Sequence, residues 1–289
     1  MISGADHPTA ARSPWLDGYD AERLIGSIRR ECLDQIVVIF SHTRSAERSM
    51  HTDPTACVAG VDGAPGGWAV VITGPNQSIV KKITAIADLF EKHHELKAVA
   101  IDVPIGLLDS YEIGGRACDK AARKLLGRMR GSSVFPPPVR SALLADSWIE
   151  ACANSRASNP QAKGISKQAF AIFPKIIEVD ALLQTRPQLR DLTFEVHPEI
   201  CFAELGGRPT THRKSSRLGR QERRELLAGA FPDFEALEKN GREQRLPIED
   251  ILDALVACWS ALRLASGKAR KLTETIARDR AGLPMTIWV

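Results

Sequence analysis

From about Ala56 onwards, short apolar runs alternate with longer amphipathic stretches. The first run, CVAGVD, is typical of a buried central strand and ends in the glycine-rich turn GAPGG. Two more runs, WAVVIT and SIVKKI, follow at the spacing of a hairpin. A stretch with helical spacing comes next, and KAVAIDVP then has the character of a second buried strand. The pattern therefore predicts three meandering strands, a helix and a fourth strand.

The second half of the domain is predicted to be mainly helical. Between about residues 115 and 190, the clearest helices are GRACDKAARKLLG and SKQAFAIFPKIIEVDALLQ. A short strand, LTFEVH, and a charged region of loop followed by helix come after them. The last helix is predicted from about Ile248 to Ser266, because its apolar residues form one stripe. Together these elements indicate an α/β fold, a mixed sheet flanked by helices with a mainly helical insertion.

The first 54 residues have a different pattern, rich in turn-forming and polar residues. Within them, AERLIGSIRRECLD resembles the end of an integrase-type transposase core, and Glu22 matches the last acid of that family's triad. The resemblance covers only residues 18–40 and lacks the strands that would supply the other two acids. We therefore predict a poorly ordered N-terminal extension at residues 1–54 and one domain at residues 55–289.

Acidic residues follow or begin four of the predicted elements. Asp62 and Asp102 end buried strands, Glu195 lies in the short strand, and Asp250 and Asp253 open the last helix. Carboxylates that converge from different elements repel one another and are costly to desolvate, so they are tolerated mainly where a divalent cation neutralises them. The five acids are therefore the candidate catalytic residues.

Each acid also has a purely structural interpretation. An aspartate after a strand is often a turn or cap residue, and the helix macrodipole favours acids in the first turn of a helix. His197 is interpreted as a hydrogen-bonded neighbour of the site rather than a ligand. Whether Glu195 or Glu199 is the fourth acid stays open. The occurrence of all the acidic segments in one chain is what favours a site.

Seven segments in order carry a resemblance to a known family: VDGAPGGW, IDVPIGL, RACDKAARKLLG, SSVFPPPVR, FPKIIEVD, FEVHPEICF and EDILDALVACW. They resemble an uncharacterised family of predicted ribonuclease H-like nucleases, domain-of-unknown-function family 429, over residues 56–289. The resemblance implies a ribonuclease H-like sheet and metal-ligand roles for Asp62, Asp102 and Asp253, with Asp250 as a companion. It also implies two-metal hydrolysis of phosphodiester bonds with Mg²⁺ or Mn²⁺, in which Asp62 bridges the ions.

Five basic residues are candidates for contact with substrate phosphates: Arg116, Arg123, Arg130, Arg140 and Lys175. A solvated basic face is the competing interpretation of the helical arginines. The expected partner is a nucleic acid, and the sequence does not distinguish RNA, DNA and a hybrid.

Composition and cysteine usage limit the compartment. The net charge of +4 is compatible with an anionic substrate without requiring one. The six cysteines form no CxxC pair, which favours a reducing cytoplasm. No run of 18 apolar residues and no secretory signal pattern is evident, so we expect a cytoplasmic protein without a membrane partner.

Two other functions compete with the nuclease. The first is a phosphotransferase or nucleotide hydrolase on a related fold, although GAPGG lacks the Gly-Lys-Ser/Thr ending of a phosphate-binding P-loop. The second is a regulatory module that keeps the fold without catalysis. The oligomeric state and natural substrate are not determined by the sequence.

Overall fold

The computed structural model describes residues 56–289, so the predicted extension at residues 1–54 and its transposase-like segment lie outside the described part. Within it, the strands are β1 (Cys57–Ala64), β2 (Gly67–Thr73), β3 (Ser78–Ile83), β4 (Leu96–Ile101), β5 (Thr193–Glu195), β6 (Ala277–Arg278) and β7 (Pro284–Met285). The α-helices are α1 (Ala87–Lys92), α2 (Ala117–Arg130), α3 (Trp148–Ser158), α4 (Lys167–Ala171), α5 (Phe173–Thr185), α6 (Pro198–Gly206), α7 (Arg217–Ala230), α8 (Phe234–Glu243) and α9 (Ile248–Ala265).

Five strands form one mixed sheet in the order β3-β2-β1-β4-β5. The first three strands pair antiparallel, whereas β1 with β4 and β4 with β5 are parallel. This arrangement, with helices on both faces, confirms the predicted mixed sheet and is consistent with a ribonuclease H-like fold. Because β1, β4 and β5 run in the same direction, their carboxyl ends meet at one edge of the sheet.

The central strand β1 is buried on both faces, which explains its nearly continuous apolar sequence. On one face, Val61 and Ile101 pack in a cluster with side chains of α1 and α5. On the other face, Val58 and Ala100 pack in a cluster with side chains of α6, α7, α8 and α9. The two clusters form the core, with the sheet between them.

Helix α9 approaches β1 closely at Gly60. A Cβ atom at this glycine would lie 2.0 Å from the backbone nitrogen of Cys258 and 2.3 Å from the carbonyl oxygen of Ala254. Only a residue without a side chain therefore lets the helix backbone reach the strand. This contact puts the first turns of α9 beside the carboxyl end of β1.

The insertion between β4 and β5 is mainly helical, as predicted. The predicted helix SKQAFAIFPKIIEVDALLQ is instead two helices, α4 and α5, which meet at Ile172. Pro174 explains the break, because proline is tolerated only in the first turn of a helix. Glu178 of α5 fixes the insertion to the sheet, since its carboxylate accepts hydrogen bonds from Trp68 Nε1 at 3.0 Å and from the Ile86 backbone N–H at 2.5 Å.

None of the helices within residues 56–289 has the length and apolar character needed to cross a membrane. The five cysteines of this range are buried and form no disulfide bond. The cytoplasmic location stays a prediction.

We expect Gly60→Ala to destabilise the protein by about 3 kcal/mol or more, because backbone atoms of α9 cannot move aside as a flexible side chain can. The matched control is Gly229→Ala in α7, where a Cβ meets no atom within 4 Å. This change removes a helical glycine and should stabilise the protein by up to about 1 kcal/mol. Chemical denaturation measures both, and equal stability of the two variants would contradict the close packing of α9 on β1.

Candidate functional site

All five predicted acids line one cleft at the carboxyl ends of β1, β4 and β5, and four of them act on one another there. We call these four the acid cluster: Asp62, Asp102, Asp250 and Asp253. They come from two strands and one helix, and Asp62 lies close enough to the other three for each of them to raise its pKa. The fold therefore brings together residues that are far apart in the chain.

Sheet register places Asp62 and Asp102 side by side. Val61 pairs with Ile101 across the parallel strands, and the Asp102 backbone N–H donates to the Val61 carbonyl at 2.9 Å. Both aspartates follow this pair and so emerge on the sheet face that α9 covers. Asp62 Oδ1 accepts one hydrogen bond, from the Gly63 N–H at 2.8 Å, whereas the Asp102 carboxylate accepts none from residues 56–289.

Helix α9 supplies the other two acids. Asp250 and Asp253 are three residues apart and therefore neighbours on one face of the helix. The Asp253 side chain is 2% exposed, and its Oδ2 accepts a hydrogen bond from Lys214 Nζ at 2.7 Å. The packing of α9 at Gly60 is what holds this buried carboxylate near the end of β1.

Burial and mutual repulsion raise the pKa values of the cluster. Burial is the main cause at Asp62, and the charges of Asp102 and Asp253 raise its pKa further. Burial raises the pKa of Asp102 to about 6, with a contribution from Asp253, and that of Asp250 to about 6 as well. At neutral pH the folded protein therefore holds buried negative charge at a cost to its stability.

Lys214 lies beside the acid cluster, and no pattern in the sequence predicts this position. It lies in the loop before α7, and its ammonium group acts electrostatically on all four aspartates of the cluster. In the sequence it is one of several basic residues in THRKSSRLGRQERRELLAG, and nothing in its spacing distinguishes it from the others. Its proximity to Asp253 arises only from folding.

Glu195 does not join the acid cluster. It pairs with Ile101 in the register of β5 on β4, so it emerges on the sheet face opposite Ala100. Its Oε1 and Oε2 accept hydrogen bonds from Arg116 at 2.5 and 2.8 Å, and Oε2 also accepts one from the Ile105 N–H at 2.7 Å. This geometry gives Glu195 a structural role as the partner of Arg116, and its catalytic role stays a prediction.

The same ion pair engages Arg116, which the sequence predicts to contact substrate phosphates. Its side chain is 2% exposed and lies between Glu195 and Asp119, which accepts at 2.7 Å through Oδ1. Arg116 also donates to the carbonyl oxygens of Ile105 and Gly106. With its donors used inside the protein, Arg116 positions the loop after β4 and is not free to contact phosphates.

Glu199 is the acid nearer to the cluster. Its negative charge raises the pKa of both Asp102 and Asp253. Its carboxylate accepts hydrogen bonds from Arg223 and, at 3.0 Å, from the Thr210 hydroxyl. The sequence left open whether Glu195 or Glu199 accompanies the aspartates. The structure favours Glu199, whose counter-ion is Arg223.

Two other predicted phosphate ligands are used within the protein itself. Arg123 donates to the carbonyl oxygens of Gly114 and Val134. Arg140 makes ion pairs with Asp180, at 2.8 Å, and with Asp279. Neither arginine is among the residues that line the cleft, and their contact with a substrate stays a prediction.

Arg130 and Lys175 do line the cleft. Arg130 is only 9% exposed and donates to the Thr210 carbonyl oxygen at 3.0 Å. Lys175 is half-buried, with Nζ 2.6 Å from the Gly67 carbonyl oxygen and 4.2 Å from the centre of the Trp68 ring. Of the five predicted basic residues, Lys175 is therefore the one that presents an accessible charge to the cleft.

The donor chemistry of the cluster fits a hard divalent cation. Carboxylate oxygens are the ligands that Mg²⁺ and Mn²⁺ prefer, and His197, which acts electrostatically on Asp102, has a buried Nδ1 without a hydrogen-bond partner. Within residues 56–289, however, no three His, Cys, Asp or Glu side chains already form a group that could hold a metal ion. The four carboxylates thus share one cleft without forming a metal-binding group in the described residues, and the predicted metal stays a prediction.

The raised pKa values predict how stability changes with pH. Asp102 and Asp250 keep their protons up to about pH 6 in the folded protein, whereas ordinary aspartates lose theirs near pH 4. The folded state thus binds more protons than the unfolded state between these values. Stability must therefore fall as the pH rises through this window.

We expect Asp62→Asn to stabilise the metal-free protein by about 1 kcal/mol or more at pH 8, because it removes one of the repelling charges. The gain should shrink towards pH 5, where the neighbouring acids are protonated. Thermal unfolding in EDTA at both pH values measures this effect. Asp191→Asn changes the same charge at an exposed position and should have no such pH dependence.

We expect Glu195→Gln to destabilise the protein by about 1–3 kcal/mol, since it removes one of the two carboxylates that pair with the buried Arg116. Glu112→Gln is the control, because Glu112 pairs with Lys120 at the surface and should contribute less than about 1 kcal/mol. Urea unfolding compares the variants. A Glu195→Gln protein as stable as the control would contradict the structural role of Glu195.

Comparison with known proteins adds one match. The model of the family described as "Protein of unknown function (DUF429)" matches residues 60–278. No curated protein and no solved structure matches the chain. The whole acid cluster, Lys214 and both buried arginine–glutamate pairs lie within the matched range.

Proposed function

The chain belongs to the DUF429 family, and we propose that it is a metal-dependent nuclease that hydrolyses phosphodiester bonds in nucleic acids. One observation carries the proposal: Asp62, Asp102 and Asp253 converge from three elements at the end of the central parallel strands. Within the described residues, the half-exposed Lys214 places its positive charge in contact with Asp253. Such a cluster destabilises the folded protein unless a cation neutralises it.

Asp62, Asp102 and Asp253 would hold Mg²⁺ or Mn²⁺ through their carboxylate oxygens, and Asp250 would add negative charge beside them. The bound ion supplies Lewis-acid stabilisation of charge on a phosphoryl oxygen and lowers the pKa of a bound water. The protein fixes these carboxylates on rigid elements, because Asp62 lies within β1, Asp102 directly follows β4 and Asp253 is held by α9. This rigidity favours a defined position for the scissile phosphate.

Other side chains of the cleft suit a nucleotide chain. Phe135 is 38% exposed and Met129 is 67% exposed, and both line the same cleft as the acids. An exposed aromatic ring beside a phosphate site can stack on a base, and such stacking does not depend on base identity. Lys175 would supply a positive charge for a phosphate. These features favour an oligonucleotide over a small phosphate ester.

The proposal is tested with labelled single-stranded RNA and DNA, duplexes, a hybrid and a four-way junction, incubated with the full-length chain and Mn²⁺ or EDTA. We expect cleavage of at least one substrate only with Mn²⁺. Asp102→Asn should lower kcat/KM by about 100-fold or more, because loss of even an indirect metal contact costs 10–100-fold. Asp191→Asn, which changes an exposed aspartate, should cleave like the unaltered protein.

The same samples distinguish the competing functions. A nucleotide-handling enzyme should be stabilised against heat by ATP, whereas the nuclease should respond mainly to Mn²⁺ or Mg²⁺. No cleavage of any substrate by folded protein, with no stabilisation by either ion, would refute the nuclease and favour a regulatory module.

A further inference from the structure

Lys214 reaches the acid cluster from solvent. Its side chain is 53% exposed along its length, yet Nζ lies 2.7 Å from Oδ2 of Asp253, which is 2% exposed. The ammonium also acts electrostatically on Asp62, Asp102 and Asp250. The Lys214 ammonium therefore occupies the position at which a cation would lower the repulsion among the four carboxylates.

The backbone around Lys214 is fixed, but its side chain is not. The His212 N–H donates to Glu222 at 3.0 Å, and the Ser216 hydroxyl donates to the Arg213 carbonyl oxygen at 2.7 Å. By contrast, the Lys214 ammonium makes its one hydrogen bond within the described residues to Asp253. The ammonium can therefore leave the cluster by rotation of its own side chain, with the loop unchanged.

We propose that the Lys214 ammonium is a tethered counter-ion, which a divalent cation displaces from Asp253, and which then binds a phosphate of the substrate. A cation that binds Oδ2 of Asp253 must displace this ammonium, which lies 2.7 Å from that oxygen. A displaced ammonium stays close to the ion, since its backbone is anchored. A phosphate bound at the ion would lie within its reach.

This inference rests on the proposed function, because it takes the acid cluster as a divalent-ion site. Its signature is a pair of opposite effects. Removal of the ammonium should strengthen binding of the ion, which no longer competes with a positive charge, and weaken binding of the oligonucleotide, which loses a phosphate contact. A residue that only supports the fold would weaken both.

The experiment measures Mn²⁺ binding by isothermal titration calorimetry with the full-length protein and its Lys214→Met variant. We expect the variant to bind Mn²⁺ about tenfold more tightly. It should bind a fluorescent single-stranded oligonucleotide, measured by anisotropy in Ca²⁺, about tenfold more weakly. Lys214→Arg keeps the charge and should resemble the unaltered protein, as should Arg217→Met, which removes an exposed charge that does not line the cleft. Lys214→Gln replaces the methionine variant if that protein does not fold.

Each outcome decides between the inference and the function on which it rests. Equal Mn²⁺ affinity of the unaltered protein and Lys214→Met would overturn the tethered counter-ion and leave the nuclease standing. Tighter Mn²⁺ binding with unchanged oligonucleotide binding would overturn the transfer to phosphate. If neither protein bound Mn²⁺, both the metal site and the inference would fail.

Discussion

Helix α9 lies against β1 at Gly60, where backbone atoms of Ala254 and Cys258 occupy the space of a side chain. This contact fixes where the helix begins relative to the end of the strand, and so it determines that Asp253 faces Asp62. The other face of the sheet is covered independently by α1 and α5. The site therefore depends on one close approach between two backbones, which tolerates no side chain at its centre.

Charge is distributed unevenly around this contact. Glu195 and Glu199 each receive a buried arginine, Arg116 and Arg223, with several hydrogen bonds. These pairs connect loops and helices, and their charges are compensated within the protein. Among the described residues, the acid cluster accepts a hydrogen bond from one basic side chain, that of the half-exposed Lys214. The same fold thus pairs two glutamates with buried arginines and leaves the four aspartates beside a half-exposed lysine.

Much of the fold follows from local patterns. The apolar runs of β1, β2, β3 and β4 and the stripe of α9 are strong signals, because each reflects burial of that element alone. The break between α4 and α5 was missed, although Pro174 is a local signal for it. The position of Glu195 has another origin. It ends β5 much as Asp102 follows β4, but its register on β4 turns it to the opposite face of the sheet.

The sequence by itself determined the order of strands and helices. It also placed Asp62, Asp102 and Asp253 near the ends of their elements, because alternation and helical spacing are properties of each segment. Only the tertiary structure decided which charges meet. The tertiary structure pairs Arg116 with Glu195, Arg140 with Asp180 and Lys214 with Asp253. Ion pairs between residues far apart in the chain depend on strand register and helix packing, which no local pattern records.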